Sequence, residues 1–108
     1  MTVPTPYQGH FAGARHLFAV RVYFEDTDFS GVVYHARYLH FMERARSDML
    51  ACVGIDQRTV HAAGQGAYAV TEMHIKYRRP AHFDDALVVI STVDAVRAAS
   101  CDIHQTVM

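Results

Sequence analysis

The chain has 108 residues, 51% of them hydrophobic, and a formal net charge of −1. That length supports one domain with a single modest core, and the composition is that of a folded soluble chain rather than a disordered one. The near-neutral balance argues against a protein whose main task is to neutralise nucleic-acid phosphates, and no apolar run approaches the roughly 20 residues that span a bilayer.

Residues 1–16, "MTVPTPYQGHFAGARH", carry two prolines and two glycines and no compact apolar stretch behind basic residues. They are expected to form a flexible leader rather than a secretion signal, with the folded domain over 17–108. Cys52 and Cys101 stand alone, without CxxC pairing, and are expected as reduced thiols of a cytoplasmic protein. Residues 17–25 alternate: Val20, Val22 and Phe24 share one face, Arg21, Tyr23 and Glu25 the other, which predicts a half-buried strand. From 33 to 53 the period changes. Tyr38, Phe41, Met42, Ala45, Met49, Cys52 and Val53 recur at helical spacing, and Gly54 follows as a terminator, so one long helix is predicted.

Residues 55–66 form a connection, and residues 67–77, "AYAVTEMHIKY", alternate again, with Ala69, Thr71, Met73, Ile75 and Tyr77 on one face. "RRPAHFDD" is a turn in which Pro80 stops the ladder and Asp84 and Asp85 shape the entry to the next strand. Residues 86–96 are rich in β-branched side chains, and residues 99–107 alternate once more. The predicted order is strand, long helix, strand, strand, strand. One helix cannot cover both faces of such a sheet. The economical solution is an α+β domain whose antiparallel sheet wraps around the helix, with another subunit covering the remaining apolar surface.

Between the first strand and the helix lies "EDTDFSGVVYHARYLHFMERAR", residues 25–46. Crowded carboxylates repel one another, so a plain surface turn is the simplest account of Glu25, Asp26 and Asp28. Gly31, however, can take a positive φ and reverse the chain just before the helix. The first helical turn leaves N–H groups unpaired and carries the positive end of the helix dipole. A carboxylate facing those donors suits acyl transfer, because the donors can hold a developing oxyanion, a contribution of about 3 kcal/mol.

"RVYFEDTDFSGVVYHARYLHFMERAR" resembles the signature of the hotdog-fold acyl-CoA thioesterases, in particular the 4-hydroxybenzoyl-CoA thioesterase-like branch that includes the Tol–Pal-associated YbgC proteins. "HIKYRRPAHFDDAL" resembles that family's second block. The resemblance implies a hotdog fold, hydrolysis of an acyl-CoA to acid and coenzyme A, no cofactor and no metal. It also implies a homodimer, as a dimer of dimers making a homotetramer, with the site between subunits. It assigns the catalytic carboxylate to Asp28, as nucleophile or general base, with the oxyanion N–H near His35, which polarises the thioester or assists the departing thiolate. Gly31, Val33, Tyr34 and Tyr38 are then expected along the substrate. The basic cluster Lys76, Arg78 and Arg79, otherwise an ordinary solvated patch, is expected near the coenzyme A phosphates. Two departures stand out. Phe24 occupies a position where the family usually has tyrosine, and family members continue for a further strand, so the domain is expected to lack its last strand as a fragment would.

Other residues have simpler expected roles. Glu25 and Asp26 are expected to be solvated or structural, Tyr38 also packs on the helix face, and Glu43 is expected to pair with Arg46 or another subunit. Eight histidines invite a metal site, but His35 and His40 are five apart and no His or Cys spacing matches zinc. Gly64 and Gly66 are too little for a dinucleotide loop. Two further functions fit the same motif: a hotdog dehydratase or hydratase, and a non-catalytic partner near the cell envelope that binds acyl thioesters or acyl carrier protein.

Overall fold

The computed structural model describes residues 1–64 and 68–108. Its elements are β1 (His10–Ala12), β2 (Arg15–Arg21), a 3-10 turn at Phe24–Asp26, α1 (Arg37–Cys52), α2 (Gln57–Ala62), β3 (Ala86–Val96) and β4 (Cys101–Val107). The strands form one antiparallel sheet in the order β1-β2-β3-β4. α1 is the one main helix beside it, so the architecture is α+β as expected. No helix among the described residues is long and apolar enough to cross a membrane.

The sheet starts earlier than expected. His10–Ala12 pair with Arg15–Leu17 through a tight reversal in which Gly13 has φ 64°, so part of the segment expected as a leader lies in the sheet. β2 ends at Arg21, not at residue 25. The chain then turns into the 3-10 segment, and Phe24, expected on the inner strand face, is exposed.

Strand pairing sets which side chains meet the helix. His16 lies opposite Ser91, Phe18 opposite Val89 and Val20 opposite Leu87, while Ser91 and Val89 pair onward with Gln105 and Val107. This face packs on Phe41 and Ala45 of α1, giving a small core of Phe18, Val22, Val33, Phe41, Ala45, Ala81 and Val89. Each such large apolar side chain contributes about 1.5–3 kcal/mol by leaving water. On the same face Gln105 donates to the Met42 carbonyl and to Ser91 Oγ, both at 3.0 Å, and accepts from Arg46 Nη1 at 2.9 Å. Arg46 is thus held by Gln105, not by Glu43 as expected.

The helix begins at Arg37 rather than near residue 33. The intervening residues are held as loop by two short bridges, Thr27 with Val33 and Val32 with His82. Phe41, Ala45 and Met49, four apart, are the buried stripe; Cys52 and Val53, expected on it, are exposed. The end of the helix follows the expectation for Gly54. With φ 85° it lets Gly54 N–H reach the Ala51 carbonyl and Ile55 N–H reach the Leu50 carbonyl, the Schellman closure. α2 was not expected; Asp56 starts it by accepting from Arg58 and Thr59 N–H.

The largest difference is at residues 68–77. They form no strand, and every one is exposed except Ile75, which is half-buried. Alternation gave them a strand's pattern, but a strand also needs a neighbour to pair its backbone groups, and these residues have none among the described residues. The first residue of that expected strand, Ala67, and the end of the expected connection, residues 65 and 66, lie outside the described residues.

Candidate active site

Asp28 and His35 are carried by the loop between the 3-10 turn and α1, and Asp26 anchors that loop at both ends. Asp26 is 4% exposed, and its carboxylate accepts from Tyr23 N–H at 2.8 Å and from Arg37 Nε and Nη2 at 3.0 and 2.8 Å. Its carbonyl accepts from Tyr34 N–H at 2.9 Å. It is therefore structural, one of the two roles expected for it. Glu25 is exposed and lies 4.0 Å from the same arginine.

Within the loop the chain folds back tightly. Asp28 N–H donates to the Val32 carbonyl at 2.8 Å, Gly31 N–H donates to the Asp28 carbonyl at 3.1 Å, and Gly31 has φ 87°. An added Cβ at Gly31 would touch nothing, so glycine serves the backbone conformation there and not close packing. The Asp28 carboxylate accepts through Oδ1 from Ser30 Oγ at 2.6 Å and Ser30 N–H at 2.8 Å. Those two bonds hold the carboxyl below its ordinary range, with smaller help from the Val32 amide and the charge of His35. The side chain is exposed in the single chain, with Oδ2 left free of protein partners among the described residues.

Asp28 nevertheless opens onto a cleft of about 320 Å³ walled by Val33, His35, Tyr38, Tyr77, Arg78 and Arg79. The structure thus brings together six of the sequence-predicted residues: Asp28, His35, Val33, Tyr38, Arg78 and Arg79. Lys76 does not line the cleft, nor do Gly31 and Tyr34; the Tyr34 ring instead lies 4.5 Å from the His35 ring, centre to centre. Asp28 and His35 are not hydrogen-bonded to each other. Tyr38 does double duty, packing on Phe41 and accepting from Ala81 N–H at 3.1 Å.

The amides near the helix start are more selective than the sequence suggested. Val33 N–H is taken by the Ala81 carbonyl and Tyr34 N–H by the Asp26 carbonyl. His35 and Ala36 N–H have no partner among the described residues, so the expected donor "near His35" narrows to those two. Tyr77 is the residue that sequence reasoning missed. It was expected only on a strand's inner face, yet it walls the cleft and its hydroxyl donates to the His35 carbonyl at 2.9 Å, fixing that peptide. A tyrosine immediately before the basic pair was the only signal available.

Residues 30–108 match the family described as the thioesterase superfamily. The chain belongs to that superfamily. Asp28 lies two residues before the matched span. Among curated relatives, the acyl-CoA thioesterase YbgC of Haemophilus influenzae is 46% identical over 91 residues, covering 84% of this chain and 67% of that protein. The acyl-CoA thioester hydrolase YbgC of Escherichia coli is 40% identical over 89 residues, covering 82% of this chain and 66% of that protein. The superfamily chain described here thus spans about two thirds of the length of these relatives. A solved structure of a probable thioesterase from Bartonella henselae matches with a TM-score of 0.82 and 39% identity, over 88% of this chain and 79% of that one. The single antiparallel sheet against one main helix is accordingly the hotdog fold that the motif resembled.

Proposed function

We propose that this chain hydrolyses an acyl-CoA thioester to the free acid and coenzyme A, with Asp28 as the reacting carboxylate. The observation that carries this is one cleft that gathers the Asp28 carboxylate, His35 just before the helix start and the two cations Arg78 and Arg79. The thioester carbonyl sits between Asp28 Oδ2 and the His35 and Ala36 N–H groups, which stabilise the oxyanion as the carbonyl carbon becomes tetrahedral. The C–S bond then breaks and coenzyme A leaves as a thiolate, which takes a proton from solvent or from His35. Arg78 and Arg79 hold the nucleotide phosphates. The names of the YbgC relatives support the reaction class.

The carboxylate of Asp28 is held in its ionised form, which suits either role. As nucleophile, Oδ2 forms a mixed anhydride that water then cleaves; as general base, it takes a proton from the water that attacks the thioester carbonyl. Large exposed apolar side chains, among them Tyr68, Val70, Met73 and Tyr77, support a homodimer in which a second copy covers this side and completes the cleft wall.

Thiol release from a panel of acyl-CoAs tests the proposal. Asp28→Asn is expected to lower kcat by about 10²- to 10⁴-fold; unchanged turnover would remove Asp28 from the chemistry. Single turnover in isotopically labelled water tests the nucleophilic role: where water cleaves the anhydride at the Asp28 carbonyl, the first product acid carries an unlabelled oxygen from Asp28 and the label enters the Asp28 carboxylate.

A further inference from the structure

We propose that His16, Asp48 and Cys52 form a binding site for a thiophilic divalent cation of the zinc class, separate from the active site. The three come from two elements, β2 and the last turn of α1, and their Nε2, Oδ2 and Sγ atoms all lie within 4.8 Å of one another. Nε2 and Oδ2 are 2.7 Å apart, Sγ and Oδ2 3.5 Å, and Sγ and Nε2 3.9 Å. A tetrahedral zinc site separates its N, O and S ligands by about 3.3–3.6 Å. The imidazole–carboxylate pair therefore needs to open and the thiol–imidazole pair to close, each by a fraction of an ångström, while the thiol–carboxylate spacing already fits. None of the three lines the Asp28 cleft.

Three independent features point the same way. Asp48 and Cys52 are four apart on one helix face, so the helix itself fixes their spacing. They stand at the negative end of the α1 dipole, where no basic residue occupies the last turn, and a cation there is favoured. Gly9 brings main chain directly onto the cluster: its N–H donates to Asp48 Oδ2 at 3.0 Å and its carbonyl lies 3.5 Å from Sγ, the nearest candidate for a fourth ligand. A Cβ at Gly9 would sit 2.8 Å from Oδ2, 3.2 Å from Nε2 and 2.3 Å from the Leu17 carbonyl, so only glycine permits the approach.

Other uses of the cluster fit less well. Asp48 and Cys52 both face the same imidazole nitrogen, so no relay runs from acid through histidine to thiol. Partial desolvation and the Asp48 carboxylate push the Cys52 thiol up, the reverse of what a nucleophile needs. Binding breaks the S–H bond and sends that proton to solvent, and the proton that His16 Nε2 shares with Asp48 is given up as the imidazole changes to its Nδ1–H tautomer. The double positive charge is then balanced by one carboxylate and one thiolate. His16 is fully buried and its Nδ1 has no partner among the described residues, which supply no acceptor behind a metal-bound imidazole, so micromolar rather than nanomolar affinity is expected.

The test uses the reduced, metal-free full chain titrated with Co²⁺ and then Zn²⁺. One equivalent of Co²⁺ is expected to bind with a sulfur-to-cobalt charge-transfer band that Zn²⁺ abolishes. Cys52→Ser is expected to lose the band and weaken binding by at least ~10-fold, while His104→Gln, on β4, changes neither. In the unsubstituted protein Zn²⁺ is expected to slow alkylation of Cys52 but not of Cys101, which is also a free, exposed thiol. Absence of the sulfur band, Cys52 labelling indifferent to Zn²⁺, or equal affinity in Cys52→Ser overturns the site.

Discussion

Replacing Asp26 by asparagine tests how the active-site loop is held. The substitution keeps the shape of the side chain but removes the charge that Arg37 faces with two nitrogens at 3.0 and 2.8 Å. The Asp26 side chain is 6% exposed and that of Arg37 31%, so the pair is only partly shielded from water. Breaking a buried pair costs about 3–5 kcal/mol, and the exposure of Arg37 sets the expectation at the lower end, about 3 kcal/mol. A domain of this size has an unfolding entropy of about 230 cal/mol/K, so the melting temperature should fall by about 13 °C. Circular dichroism melts measure this directly, with Glu25→Gln as control. That carboxylate is exposed and 4.0 Å from the same guanidinium, and its loss should cost under about 0.5 kcal/mol. Equal, small shifts in both variants would refute the reasoning, because Asp26 would then be no better desolvated than its neighbour. Since Asp28 and His35 lie between residues that Asp26 anchors, thiol release by Asp26→Asn should also fall at temperatures where the variant is still folded.

The hydrogen bonds at Asp28 make a pH prediction. Its carboxyl is lowered from 3.8, so the ionised form is favoured in the fold. Any stability this contributes is present above 3.8 and lost as pH falls through the lowered value, and the acidic limb of kcat/KM should lie below 3.8. Ser30→Ala removes the largest cause, the hydroxyl, and keeps the residue-30 amide, so it should move that limb upward; a limb that stays in place would show that the Ser30 hydroxyl does not set it. The double variant Arg78→Ala with Arg79→Ala should raise KM for acyl-CoA by about tenfold or more, the loss of at least one charge-assisted hydrogen bond, and leave an acyl-pantetheine substrate without the nucleotide unaffected. Equal effects on both substrates would place the arginines on the acyl or pantetheine part.

What the sequence made legible is what neighbouring residues determine. The stripe Phe41, Ala45 and Met49, the glycine stop at Gly54 and the β-branched run of β3 each depend on a few adjacent positions, and each stands where periodicity put it. The helix start was misplaced because residues 33–36 continue an apolar pattern that the backbone uses differently: Val33 N–H goes to the Ala81 carbonyl across the fold, not into a helical turn. The same long-range bond decides which amide near His35 is left free, which no local pattern encodes. Tyr77 and His35 are 42 positions apart, and only the fold brings that hydroxyl to that carbonyl.

Spacing rules fail in the same way at His16, Asp48 and Cys52. Zinc motifs are recognised when ligands sit close together along the chain, and here one ligand is 32 positions from the next. Residues 68–77 show the complementary failure, a strand's alternation without a strand. Alternation specifies which side chains share a face, but pairing requires a second backbone whose N–H and C=O groups face the first. That segment runs directly into Tyr77, Arg78, Arg79 and Pro80, which wall the Asp28 cleft. A backbone that pairs with residues 68–77 therefore also fixes one wall of the active site. In the proposed dimer, assembly and the shape of the substrate cleft are set by the same stretch of chain.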